Sequence, residues 1–218
     1  MALKFVDISQ TASAATIVFD ALRKAIIEGE LKEGEPLRQD EIARLFNTSR
    51  IPVREAISRL EEHGLVKTRR YKGAVVSGLS IEEATEIFDF RALIEPEIMR
   101  QAVPKMSKEL LKKAHGYCEA FSCSTDPLEW GDLNRDFHSA LYGASKLSYH
   151  LEVVDNAMDR VDRYLRAQLV LSDGMGRAND EHLAILRACE HGDANLAAKL
   201  TVDHIDGAKR SLISRIGG

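Results

Sequence analysis

Residues 40–64 read Asp40-Glu-Ile-Ala-Arg-Leu-Phe-Asn-Thr-Ser-Arg-Ile-Pro-Val-Arg-Glu-Ala-Ile-Ser-Arg-Leu-Glu-Glu-His-Gly64. The spacing predicts two short helices joined by a tight turn. Ile42, Ala43 and Leu45 recur at helical intervals in the first, and Val53, Ile57 and Leu60 do so in the second. Asn47 suits the left-handed residue that ends a helix. Ser49 suits an N-cap, Pro52 the first turn that follows, and Gly64 the stop. This is a helix-turn-helix whose second helix is the candidate reader of DNA. Arg50, Arg54 and Ser58 stand one turn apart on one side of that helix. Guanidinium groups there can grip guanine O6/N7 or a phosphate at two points. A solvated arginine-bearing helix fits the same spacing.

Downstream, Leu65–Thr68 and Ala74–Ser77 are β-prone pieces flanking a basic tip. They predict a hairpin wing, with Arg69, Arg70 and Lys72 at its tip in reach of phosphate or minor groove. Between Arg50 and Lys72 seven basic residues (Arg50, Arg54, Arg59, Lys67, Arg69, Arg70, Lys72) face three acidic ones (Glu55, Glu61, Glu62). The whole chain of 218 residues nevertheless carries a net charge of −4. The acidic excess must lie mainly after residue 80, as expected of a DNA module joined to a domain with another task.

The run resembles the winged helix-turn-helix of the GntR family of bacterial transcription regulators. The resemblance rests on Glu28-Gly29-Glu30-Leu31 with Gly34 and Leu37, on Glu41-Ile42-Ala43, on Ser49-Arg50-Ile51-Pro52-Val53-Arg54-Glu55-Ala56, and on Leu60, Gly64-Leu65-Val66 and Gly73. It implies double-stranded operator DNA as partner, and Arg38, Ser49, Arg50, Arg54, Arg69, Arg70, Lys72 and Gly73 as the DNA-facing set. Asp40 departs from the pattern, standing where some members place a contacting arginine. Arg38 is close enough to take over that contact.

Length and a hydrophobic content of 44% fit one large or two small domains. Residues 1–10 read as a loose leader, 11–78 as the winged domain and 79–218 as a second domain. A first amphipathic helix is expected over 13–28, with Ile17, Val18, Leu22, Ala25 and Ile26 on its buried stripe. Residues 30–36 read as a turn-rich link to the helix-turn-helix. Three cysteines, Cys118, Cys123 and Cys189, form no disulfide framework and suit buried or half-buried thiols in a reducing compartment. No apolar run approaches the ~20 residues that span a bilayer, and no targeting pattern opens the chain. A cytoplasmic protein with no membrane partner is expected.

Ser80-Ile-Glu-Glu83 is a capping-box pattern. From residue 81 only helical periodicity follows, giving helices over 81–103, 107–122, 126–143, 146–171, 176–191 and 193–215. The fold class is therefore mostly α: a winged helix-turn-helix followed by an antiparallel bundle of six or seven helices. Pro96 is expected to bend or break the first of these near Ile94–Glu95.

Four bundle residues have matched spacing. Asn134 and His138 share a helix face at i, i+4, and His182 and His204 reach a similar height if the fifth and sixth helices are antiparallel. Three imidazoles and one oxygen would hold a divalent metal with open positions. Packed or exposed histidines fit the same spacing.

Residues 81–215 resemble the ligand-binding domain of the FadR branch, FCD class. The matching strings are Phe90-Arg91-Ala-Leu-Ile-Glu95, Asn134-Arg-Asp-Phe137-His138-Ser-Ala-Leu141, Glu181-His182-Leu-Ala-Ile185 with Ala188, Gly192-Asp193 and Ala197, and His204. The resemblance implies a zinc-like ion held by Asn134, His138, His182 and His204, zinc first, with nickel and manganese as alternatives. Asn134 stands where other members carry Asp or Asn. Asp132 and Asp136 cannot replace it, because they point about 120–160° away from His138 at ~100° per residue. A neutral amide leaves more positive charge on the ion, which favours an anionic ligand. The family places an arginine beside the effector, and Arg91 matches it. A plain ion pair with Glu95 is the other reading of Arg91. Arg163, flanked by Arg160 and Arg166, is a second candidate.

The sequence therefore points to a homodimeric regulator, read as a repressor, controlled by a small organic acid bound next to the metal. The alternative is a metal-dependent enzyme acting on a small carboxylate. No general base is expected beside the ligands: Glu181 is about 100° round the helix from His182.

Overall fold

The computed structural model describes residues 13–171 and 174–216. The leader expected over 1–10 lies outside the described residues. The chain divides into two compact units between Gly78 and Leu79.

In the first unit α1 (Ala14–Ile27), α2 (Gln39–Leu45) and α3 (Arg50–Glu62) precede a hairpin of β1 (Val66–Arg69) and β2 (Gly73–Val76). Ser13 caps α1, its hydroxyl accepting the Thr16 N–H at 3.1 Å. The buried stripe of α1 is Ala15, Val18, Phe19, Leu22, Ile26 and Ile27. The expected Ile17 is instead 52% exposed, because it lies ~100° from Val18, off the stripe that Phe19 completes. Leu45 is likewise 79% exposed, the last residue of a seven-residue helix and ~200° from buried Ala43. Asn47 has φ 48° and turns the chain between α2 and α3. Val53, Ala56, Ile57 and Leu60 bury the inner face of α3 against α1. The strands are antiparallel, pairing Val66 with Val76 and Arg69 with Gly73. The segment read as a mere link also joins this sheet. Gly34 donates to the Val76 carbonyl, Val76 to that of Glu35, and Leu37 to that of Ala74, at 2.8–3.0 Å. Pro36 made a strand hard to read here, because it supplies no N–H to a ladder.

The second unit contains, among the described residues, six α-helices: α4 (Ile81–Ala102), α5 (Lys108–Cys123), α6 (Pro127–Gly143), α7 (Ser148–Leu171), α8 (Gly174–Glu190) and α9 (Ala194–Ile216), with one 3-10 turn at Val103–Lys105. The Ser80 hydroxyl accepts the Glu83 N–H at 3.1 Å and starts α4. The Glu83 side chain pairs with Arg160 of α7 rather than closing a capping box. Pro96 does not break α4, which runs through it. The missing N–H removes one bond, while Phe88, Ile98 and Met99 hold both halves of the helix in apolar clusters. The most extensive helix pairing of the unit is that of α4 with α9. One cluster joins Ile98, Met99, Phe137, Leu141, Ile185, Leu186 and Ala197, and another joins Phe88, Val161, Ile205 and Leu212.

All three cysteines are free, with Cys118 and Cys189 buried and Cys123 exposed. Burial pushes the Cys118 thiol up to about 11 and that of Cys189 up to about 12. An alkylating reagent at pH 8 should therefore modify one thiol per native chain, Cys123, and all three after denaturation. Intact mass and peptide mapping would read this; rapid native labelling of Cys118 or Cys189 would contradict the packing.

Candidate functional site

The DNA-facing candidates lie on α3 and the wing. Arg50, Arg54 and Ser58 are exposed, on a face centred about 110° round α3 from the buried Val53, Ala56, Ile57 and Leu60 at ~100° per residue. Ser49 occupies the N-cap position, but its hydroxyl makes no capping bond. Arg50 Nε pairs with Asp40 Oδ1 at 3.2 Å, and Arg38 Nη1 with Glu41 Oε1 at 3.0 Å. Both pairs are more than half exposed, so each is worth about 0–1 kcal/mol and exchanges readily for a phosphate or a base edge. Asp40, the departure from the family pattern, thus braces Arg50. Arg59 faces inward, over the Phe19 ring at 4.0 Å.

At the wing, Arg69, Arg70, Lys72 and Gly73 are exposed. Gly73 has φ +70°, a conformation that favours glycine. Two apolar side chains escaped the sequence reading. Ile51, 60% exposed, stands a turn from Arg54 and can meet a thymine methyl. Tyr71, 90% exposed with φ 67°, carries the Arg70 guanidinium 4.8 Å above its ring.

In the second unit His138 of α6, His182 of α8 and His204 of α9 converge, all buried, with one nitrogen from each within 4.8 Å of the others. His138 Nε2 and His204 Nε2 are 3.3 Å apart. Two nitrogens at about 2.0–2.1 Å from a tetrahedral ion are separated by roughly 3.3 Å. His182 Nε2 is buried without a hydrogen-bond partner. Burial, then the neighbouring histidines and, at His138, Arg91, hold the His138 and His182 rings well below the usual imidazole range. Aromatic rings wall them, Phe121 and Phe137 against His182 and Phe137 and Tyr142 against His138. Asn134 is half-buried one turn before His138 on α6.

Around this cluster lies a charged shell. Arg91 Nε donates to Glu95 Oε1 at 2.6 Å, and the Tyr142 hydroxyl donates to Glu95 Oε2 at 2.6 Å. Of the two readings of Arg91, the structure has the ion pair. Its burial opposes the charge, but Glu95 outweighs it and raises Arg91 above its ordinary value. Arg135 binds Asp155, Asp159 and Asp162, and Arg166 binds Asp132 and Asp162, so α6 is clamped to α7. A Cβ at Gly131 would sit 2.3 Å from the Arg166 guanidinium carbon, so this glycine makes room for the clamp. Arg163 Nη1 and Asn179 Oδ1 are both buried without a hydrogen-bond partner. Asn179 is one turn before His182 on α8 and was missed from sequence. Glu181 is about 100° round α8 from His182 and turns to His204, with Oε2 2.7 Å from Nδ1. Helical angles relate residues on one helix only, so this contact between helices was not legible.

A winged helix-turn-helix chained to a helical domain with a convergent buried site defines a ligand-responsive transcription regulator. Residues 14–76 match the family described as bacterial regulatory proteins, gntR family, and residues 86–207 match the FCD domain. The chain belongs to the GntR family and carries an FCD effector-binding domain. It is 27% identical over 195 residues to the HTH-type transcriptional repressor GlaR of Escherichia coli K12, covering 84% of this chain and 89% of that protein. To the gluconate operon transcriptional repressor of Bacillus licheniformis it is 28% identical over 210 residues, covering 89% and 83%. Among solved structures, E. coli McbR/YncC shares the fold, with a TM-score of 0.85, 19% identity and coverage of 94% and 99%. The family consists of regulators, and the enzyme alternative is set aside on that ground. No helix among the described residues is long and apolar enough to cross a membrane.

Proposed function

We propose that this chain is a metal-dependent, acid-responsive repressor that binds a two-fold operator as a homodimer. The observation that carries the reading is the imidazole cluster, with His138 and His204 3.3 Å apart and His182 Nε2 unpartnered. Asn134, His138, His182 and His204 would hold a divalent ion, zinc first, with nickel or manganese as alternatives. When bound, the ion supplies a positive centre for a carboxylate. Arg163, with a buried unpartnered Nη1, is the guanidinium available to the same anion. Arg91 contributes charge beside His138, with Nε and Nη2 bonded to Glu95, and would add its remaining N–H groups to the acid's surroundings. Asn179 Oδ1, buried without a partner, would accept from a hydroxyl of the ligand, which supports a hydroxy or sugar acid as effector. The name of the Bacillus relative, a repressor of a gluconate operon, agrees with that class.

A short recognition helix reads only a half-site, which is why a dimer on a palindrome is expected. Arg38, Ser49, Arg50, Arg54, Arg69, Arg70, Lys72 and Gly73 form the DNA face. The acid would act by favouring one arrangement of the helical domain over another.

Metal analysis and calorimetry test this. The purified protein should hold about one divalent ion per chain, and the loaded form should give heat with a panel of hydroxy and sugar acids. His138→Ala should lose the ion, keep the fold and operator binding, and release DNA poorly when acid is added. Acid response of equal size in the stripped protein would overturn the reading.

A further inference from the structure

We infer that Glu181 is a positioning residue of the imidazole centre, fixing which nitrogen of His204 is free to bind an ion. The inference rests on the metal reading above.

An ionised carboxylate only accepts hydrogen bonds. With Glu181 Oε2 2.7 Å from His204 Nδ1, that nitrogen carries the proton. In the neutral ring Nε2 is then bare, and Nε2 is the atom 3.3 Å from His138 Nε2. The other tautomer would point its N–H into the cluster and leave Nδ1 and the carboxylate facing each other with no proton between them. Glu181 is itself held. Its second oxygen, Oε1, lies 3.6 Å from Arg177 Nε one turn earlier on α8. On α9, Gly207 lies alongside this pair. A Cβ there would stand 3.4 Å from Glu181 Oε1 and 3.6 Å from Arg177 Nη1. Thus α8 sends His182 to the centre directly and, one residue earlier, sends Glu181 to orient the ligand on α9. Partners of this kind raise the basicity of a ligating imidazole as well as aiming it.

The test compares the parent, Glu181→Gln and Glu181→Ala, each stripped and titrated with Zn2+ and Co2+ against a chromophoric chelator. Glu181→Ala should bind 10–100-fold more weakly. Glu181→Gln, which keeps an acceptor without the charge, should fall between. The Co2+ absorption bands should shift in Glu181→Ala, as a loss confined to packing would not make them do. Parent affinity and an unchanged Co2+ spectrum in Glu181→Ala overturn the inference. Long-range 1H–15N spectra of the stripped proteins separate the two readings. If the parent takes up no metal, the metal reading falls, yet the His204 tautomer still tests Glu181. A proton on Nδ1 in the parent and a tautomer mixture in Glu181→Ala support the positioning role, and the same tautomer in both refutes it.

Discussion

Replacing Glu95 by alanine should destabilise the helical domain by about 3–5 kcal/mol, the usual cost of stripping one partner from a buried ion pair. Arg91 is 3% exposed and Glu95 is 0% exposed, so bulk water does not reach the lost contact. The substitution strands the Arg91 guanidinium and also deprives the Tyr142 hydroxyl of its 2.6 Å acceptor. At roughly 2–4 °C per kcal/mol for a domain of this size, the melting temperature should drop by about 6–20 °C. Removing both charges should be far milder, because an apolar pair of similar volume often matches a buried ion pair in stability. Arg91→Met with Glu95→Leu should thus recover most of the loss. Calorimetric melting of the three proteins checks this. A single variant that melts within 2–3 °C of the parent would mean that Arg91 finds another anion.

The second large effect concerns the reading helix. Arg54→Ala should weaken binding to a duplex selected from random sequence by about 5–150-fold, the 1–3 kcal/mol of a two-point guanine contact. Arg54 is exposed on α3, so its removal leaves the fold of the first unit and the metal content untouched. Arg70→Ala, at the wing tip, should weaken selected and scrambled duplexes alike and lower the salt slope by about one. Fluorescence anisotropy at several salt concentrations separates the two behaviours. Equal affinity of the parent for selected and scrambled DNA would remove base reading altogether.

Much of this architecture was legible because it is written in local signals. Ser80, Pro127 and the Gly192-Asp193 break mark helix ends to within a few residues. Asn47, Ser49 and Pro52 mark the turn of the helix-turn-helix for the same reason. Features decided by partners distant in sequence were not legible. Pro96 reads as a break, but flanking apolar contacts carry α4 through it. Residues 30–36 read as a link because the hydrogen bonds of Gly34 and Glu35 go to β2, about forty residues on. The histidines could be proposed from spacing and resemblance, whereas Glu181 and Asn179 needed the packed bundle. Arg91 shows both sides: its ion pair with Glu95 is offered by the i, i+4 spacing, whereas its nearness to His138 needed the packed bundle.

The pairing of α4 with α9 has a consequence for synthesis. Residues 103–193 lie between the two helices. At about 5–20 residues per second the ribosome needs roughly 5–20 s to make them. All elements of the winged unit have emerged by then and can fold, while the cluster around Phe88 of α4 still lacks Ile205 and Leu212 of α9. The nascent chain is therefore most exposed to chaperone capture and aggregation in that interval. Slowing translation within 103–193 should cut the yield of folded protein more than slowing it before residue 80.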